Sequence, residues 1–233
     1  MSIESAGRSK SLKRSIEFII LFICLPLVFR YFPDILKRIG HGNISIPLIP
    51  VLILLTFPIY IFMRYSGQLS LRELIILNVR RSDWLRMLIR FVFFSILLSV
   101  FMYVKYPEHF LEFPRQNTRW WTVVMICYPI ASVYPQGIIY RAFYTYRYSS
   151  LFHAHLRLIA GAAIFSFAHL AFANPIALVF TFTGGLFFLS SFNRTGSLLF
   201  SGIEHALYGN FMFTIGLGHF FFYQGTLRMM HIT

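Results

Sequence analysis

Acidic side chains are scarce in this chain: 8 Asp and Glu stand against 21 Lys and Arg. After Glu112 a single acid remains, Glu204. Charged residues of both signs make up only 12% of the whole, and 57% is apolar. That balance excludes an ordinary soluble domain, in which about a quarter of residues are charged. There are only two cysteines, Cys24 and Cys127, each inside an apolar run. No CxxC or Cys/His finger spacing is present, so a disulfide framework and a zinc finger are excluded and both residues are expected to pack. Low-complexity segments and internal repeats are also missing. The lack of an inverted repeat argues against a transporter built on two mirrored halves, with a polar midplane site.

What is present is a succession of apolar runs, near residues 16–32, 44–63, 84–104, 120–140, 158–173, 175–192 and 197–223. Most approach or exceed the length that crosses a bilayer. The expected fold is therefore all-α: a polytopic membrane helix bundle of about seven helices, or eight if the last run breaks at Gly216 and Gly218. The first run follows a basic stretch in the manner of a signal peptide. No small-x-small site follows it, so an uncleaved first helix is expected. The loops are short, which leaves any function to the bundle or its faces. The formal charge of +13 belongs to bases in short loops beside these runs. Such bases meet anionic lipid headgroups and set topology; no nucleic-acid partner is implied. Arg8, Lys10, Lys13 and Arg14 at the N-terminus, with the bases of alternate loops, outnumber those on the other side. The N-terminus is thus expected in the cytoplasm, and Trp120 and Trp121 at the outer edge of the fourth helix. The absence of an organelle signal fits a bacterial inner membrane.

Ionisable groups within such runs cost about 3 kcal/mol each on insertion scales, so each needs a reason. Glu17 stands four residues after Lys13, a spacing that pairs them near the interface. Arg86 and Arg90 open the third run and are expected to snorkel. His153 and His155 fall in a loop and are expected to be solvated; His219 is ambiguous. The second half of the chain differs. Arg141, His169, Glu204, His205 and Asn210 come from three separate helices, flanked by small residues such as Gly161, Gly185 and Gly209 that allow close helix approach. One shared buried polar pocket is the economical explanation. Each residue also has a plainer use: His169 as a helix-to-helix hydrogen-bond donor, and Arg141 as a group that reaches the inner interface.

At these positions the sequence resembles the CAAX-protease-and-bacteriocin-processing (CPBP, or Abi) family of intramembrane endopeptidases. The family's motifs are Glu-Glu-xxx-Arg, Phe-xxx-His and His-xxx-Asn on successive core helices. Here Gln136-Gly137-Ile138-Ile139-Tyr140-Arg141 aligns with the first, Phe165 to His169 with the second, and His205 opens the third. The resemblance divides the chain into a basic N-terminus (1–15), N-terminal transmembrane helices (16–119), a CPBP-like core (120–223) and a tail (224–233). It implies a peptidase acting on peptides or membrane proteins, with Arg141, His169 and His205 among its catalytic residues; Glu204, the one intramembrane carboxylate left nearby, and Asn210, one residue past the motif position, complete the candidate set.

Two departures qualify the resemblance. Both motif-one glutamates are replaced, by Gln136 and Gly137. Gly209 stands where the family has asparagine, and Asn210 one residue later is turned about 140° from His205 on a regular helix. In the family the glutamate is thought to activate a water. A glutamate at 137 would also pair with Arg141 at i,i+4. With it gone, Glu204 is the remaining partner, and Arg141 and Glu204 are expected to approach across the bundle. The family is often labelled metalloprotease. Yet no HExxH helix is present, and residues 204 and 205 point about 100° apart, so no metal and no cofactor is expected. Three readings stay open: an endopeptidase, a catalytically silent relative acting in peptide binding, immunity or regulation, and a transporter. The sequence names no substrate and no oligomeric state.

Overall fold

The computed structural model describes residues 3–39, 46–70, 74–77 and 79–221. The tail 224–233 and the side chains of residues 3–10 and of His219 lie outside the described residues. All regular elements there are helical, as lipid requires: with no water to satisfy them, backbone N–H and C=O groups must pair within their own segment. The helices are α1 (Ile3–Ile19), α2 (Leu25–Arg38), α3 (Leu48–Tyr65), α4 (Arg81–Lys105), the short α5 (Glu112–Gln116), α6 (Thr118–Tyr128), the one-turn α7 (Tyr134–Gly137), α8 (Arg157–Ala168), α9 (Pro175–Thr195) and α10 (Leu198–Ile215).

Six helical segments among the described residues are long and apolar enough to cross a membrane: Ser11–Arg38, Leu48–Tyr65, Arg81–Lys105, Thr118–Leu151, Ala154–Phe172 and Pro175–Thr195. The fold is a polytopic all-α bundle. The seventh expected run is α10, whose Glu204, His205 and Asn210 lower its mean hydropathy; it is a core helix, with Leu198, Phe200, Ser201 and Glu204 fully buried. Its end falls at Gly216, as the glycines suggest. There φ is +101° and a Cβ would stand 2.1 Å from the His109 carbonyl oxygen, so only glycine fits. A 3₁₀ turn, Leu217–Phe221, follows.

The two helices after the loop at 149–156 pack closely. A Cβ on Gly185 of α9 would lie 3.0 Å from the Ala162 Cα of α8, the close approach that small residues permit. Helix starts are capped by side chains: Asn174 accepts from the Ile176 amide at 2.9 Å, with Pro175 at the first position of α9, and Ser197 accepts from the Phe200 amide at 3.0 Å.

The fourth span carries the element that matters for the site. It runs unbroken through 34 residues, Thr118–Leu151, but changes register twice. Wide π turns occupy Pro129–Val133 and Ile138–Tyr148. Pro129 and Pro135 supply no backbone N–H and clash with the carbonyl four residues back, which favours the i+5 pattern locally. Because the helix continues to Leu151, Arg141 lies well inside it. Arg141 is only 3% exposed, so it does not reach the interface by ending the helix.

Candidate functional site

Among the described residues three ion pairs reach across the bundle, and none joins the residues that sequence spacing pairs. Glu17 accepts two hydrogen bonds from Arg147, at 2.6 Å and 3.0 Å to one oxygen, and a third at 2.8 Å to the other. The expected partner, Lys13, is left at the exposed surface. The pair closes the loop end of the fourth span onto α1. Buried Asp83 takes Arg194 at 2.7 Å and Arg80 at 3.2 Å, tying α4 to α9. Arg90 does not snorkel. It turns inward, ion-pairs with Glu204, donates to Ser191 at 3.3 Å and lies 4.3 Å over the Phe187 ring.

Glu204 is therefore held on the face of α10 that meets α4 and α9. It is fully buried and its second carboxylate oxygen has no hydrogen-bond partner. Among the described residues no ion pair joins Glu204 to Arg141. The direct partner of Glu204 is Arg90, on a helix that the motifs do not touch, while the Glu204 charge also acts on Arg141 from beyond ion-pair distance.

His205, one residue on, turns about 100° away, as the step of a helix dictates. Its ring stacks on Phe188 at 4.4 Å and meets the edge of Phe165 at 5.4 Å. Both ring nitrogens are engaged: Nδ1 with Arg141 at 3.4 Å and Nε2 with the Tyr128 hydroxyl at 3.1 Å. A guanidinium can only donate, so Nδ1 accepts. The ring proton then sits on Nε2 and is given to the Tyr128 oxygen.

The two glycines that break the family pattern explain these partners. A Cβ on Gly137 would fall 2.2 Å from an Arg141 guanidinium nitrogen. The arginine thus lies across the spot where the missing glutamate side chain would begin. A Cβ on Gly209 would fall 2.3–2.6 Å from the Tyr128 ring and hydroxyl. Tyr128 occupies the place of the expected amide and makes the contact to His205. Asn210 points elsewhere, donating to the Met125 carbonyl at 3.1 Å; it pins α10 to α6. Sequence reasoning missed Tyr128 and Arg90. The sign for Tyr128 was the glycine itself, since a deleted side chain in a packed core leaves space that a neighbour fills.

His169 is more open. Its Nδ1 bonds the Phe165 carbonyl at 2.7 Å. A carbonyl only accepts, so in the neutral ring Nδ1 carries the proton and Nε2 a lone pair. Gln136 donates to Ser132 at 2.8 Å, and its carbonyl oxygen has no partner. His169, His205, Gln136, Tyr128 and Ser132 line a cavity of about 990 Å³ whose remaining wall is mostly apolar. Glu204, Arg141 and Asn210 are not part of that wall.

This donor set does not suit a divalent cation. Among the described residues no group of three or more His, Cys, Asp or Glu side chains comes together. His205 has no free nitrogen and faces a guanidinium, and Glu204 is neutralised by Arg90. Two smaller expectations fare differently. His153 and His155 are exposed, stacked at 5.9 Å. Cys24 and Cys127 are free thiols on the exposed surface, not packing residues of the interior. The interior there is made by Phe22 and Tyr148.

Fold and site together define a polytopic helical membrane protein with buried polar side chains beside an apolar cavity. Residues 118–212 match the family model described as Rce1-like, type II CAAX prenyl endopeptidase Rce1-like. The matched stretch contains the positions of all three motifs, Gln136 to Arg141, Phe165 to His169 and His205 to Gly209. No curated protein and no solved structure matches the chain.

Proposed function

We propose that this protein is a non-cleaving relative of the type II CAAX prenyl endopeptidases, one that holds an apolar membrane ligand in the 990 Å³ cavity and leaves it intact. One observation carries the reading: the Arg141 guanidinium lies over Gly137, where the family's motif-one glutamate would project. Hydrolysis needs a group to take the proton of the attacking water. At 137 there is no carboxylate. Glu204 is on the wrong face of α10 and bound to Arg90. His205 accepts from Arg141 and gives its own proton to Tyr128. In this reading His205 and Tyr128 form a closed wall with Arg141 bonded behind it; His169 and Gln136 offer hydrogen-bond acceptors to the ligand; Glu204 and Asn210 hold α10 in place. The core is residues 120–223, the N-terminus faces the cytoplasm, and the membrane is a bacterial inner membrane.

Proteolysis is the second reading. The family match and the open Nε2 of His169, the one lone pair placed to receive a proton at the cavity, favour it. The test is a cleavage assay on a prenylated peptide with purified protein in nanodiscs. The expected result is no product from the native chain, with uncut peptide bound. Product from the native chain that disappears in His169→Ala would overturn the non-cleaving reading. Product appearing only in Gly137→Glu would agree with it.

A further inference from the structure

One carboxylate at the start of α4 holds three guanidiniums. Asp83 is 1% exposed; it takes Arg194 Nε at 2.7 Å and Arg80 Nε at 3.2 Å, and Arg86 Nη1 stands 3.5 Å from it. Arg194 alone supplies the cation that a buried carboxylate needs. The other two bring charge that Asp83 does not cancel. Three bases on one acid leave a net of +2, and one further acid would still leave the cluster positive. Among the described residues no other acid pairs with any of the three.

These guanidiniums are restrained on one side and open on the other. Arg80 and Arg194 spend their Nε on Asp83, which leaves the terminal nitrogens of each as donors. The Arg80 and Arg86 side chains are 71% and 53% exposed. The cluster lies where the first turn of the Arg81–Lys105 span meets the last turn of the Pro175–Thr195 span, and the ends of spans stand among lipid headgroups. From there along α4, Leu85, Ile89, Phe93, Ile96 and Val100 are each more than half exposed. Spacings of four, four, three and four put them on one helix face. Arg86 heads that face, within about 20° of Phe93, and the stripe runs about 22 Å at helical rise. One leaflet of hydrocarbon is about 15 Å deep. None of these residues lines the cavity described above.

We propose that this is a seat for one anionic phospholipid, with its phosphate between Arg80 and Arg86 and its acyl chains along the α4 stripe. The seat is independent of whatever the cavity holds. A phosphate matches a guanidinium in shape as well as charge, through two parallel N–H···O bonds. Asp83 already restrains both arginines, so less side-chain freedom is lost when the lipid binds. A zwitterionic headgroup brings its own cation against the cluster and is disfavoured.

The experiment compares two lipids with the same tails. Native mass spectrometry of the full chain in neutral detergent measures binding of dioleoyl phosphatidylglycerol and dioleoyl phosphatidylcholine. The native chain is expected to hold one phosphatidylglycerol at least about tenfold more tightly than phosphatidylcholine. Arg80→Gln/Arg86→Gln erases that preference, and Arg80→Lys/Arg86→Lys retains most of it. Arg115→Gln/Arg119→Gln removes the same charge from exposed bases on α5 and α6 and leaves the preference intact. A thermal melt in the same detergent reports that each variant is folded. Equal losses in the two glutamine variants overturn the seat and leave only attraction to general basic charge. No preference in the native chain overturns it as well. Displacement of the lipid by inorganic phosphate assigns the cluster to the free anion, and the lipid seat falls.

Discussion

Replacing Arg90 by methionine should destabilise this protein far more than replacing Glu204 by glutamine. The two side chains form one ion pair but sit in unequal surroundings: Arg90 is 23% exposed and Glu204 is fully buried. Arg90→Met strands a carboxylate in the core with no cation at ion-pair distance, because Arg141 acts on it only from farther away. Removing one partner of a buried pair costs about 3–5 kcal/mol. Glu204→Gln keeps the shape and one acceptor oxygen. It leaves Arg90 bonded to Ser191, stacked over Phe187 and able to move outward, so the loss is about 1–2 kcal/mol, that of a charge-assisted hydrogen bond. The double variant Arg90→Met/Glu204→Gln should recover much of the Arg90→Met loss, because no charge remains buried there. Reversible unfolding by SDS in mixed micelles, followed by tryptophan fluorescence, measures all three. Equal costs below about 1 kcal/mol for both single variants, with additivity in the double, would refute the assignment of Arg90 as the partner of Glu204.

Gly209→Asn, which restores the family residue, should cost about 1–3 kcal/mol by overpacking against Tyr128; Tyr128→Ala in the same chain should relieve part of it in the same unfolding assay. Glu17→Gln should cost under about 1 kcal/mol, because the carboxylate is 43% exposed and exposed pairs contribute little. Yet protease cleavage of the 149–156 loop should quicken as its tie to α1 is lost. Cys24 and Cys127 should both be alkylated by N-ethylmaleimide in detergent without denaturant, counted by mass spectrometry; protection of either would contradict its surface position.

The motif residues were legible because each stands out chemically inside an apolar run. His169 and His205 do face one cavity, as a shared pocket requires. Arg141 and Glu204 were legible as misfits, but their pairing was not. The inference from a missing glutamate to the nearest remaining acid assumed that Arg141 and Glu204 face each other. The helix turns residues 204 and 205 about 100° apart, and the π turns around Pro129 and Pro135 alter which way Arg141 points. Asn210 was correctly expected to turn away from His205, since a regular helix has a known pitch. That Tyr128 takes over its hydrogen bond depends on a helix 77 residues away in sequence.

Sequence alone determined the class of fold. Long apolar runs in lipid have one way to satisfy their backbone groups, and that way is local, so helices follow from the runs themselves. The partners of the charges were decided by tertiary structure. Arg90 and Glu204 are 114 residues apart, Arg147 and Glu17 130, and Arg194 and Asp83 111. With 21 bases sharing 8 acids, pairing by spacing along one helix is outweighed by burial. The acids bond to whichever guanidinium the packing of helices brings into the same water-free space, because there an unpaired charge costs most.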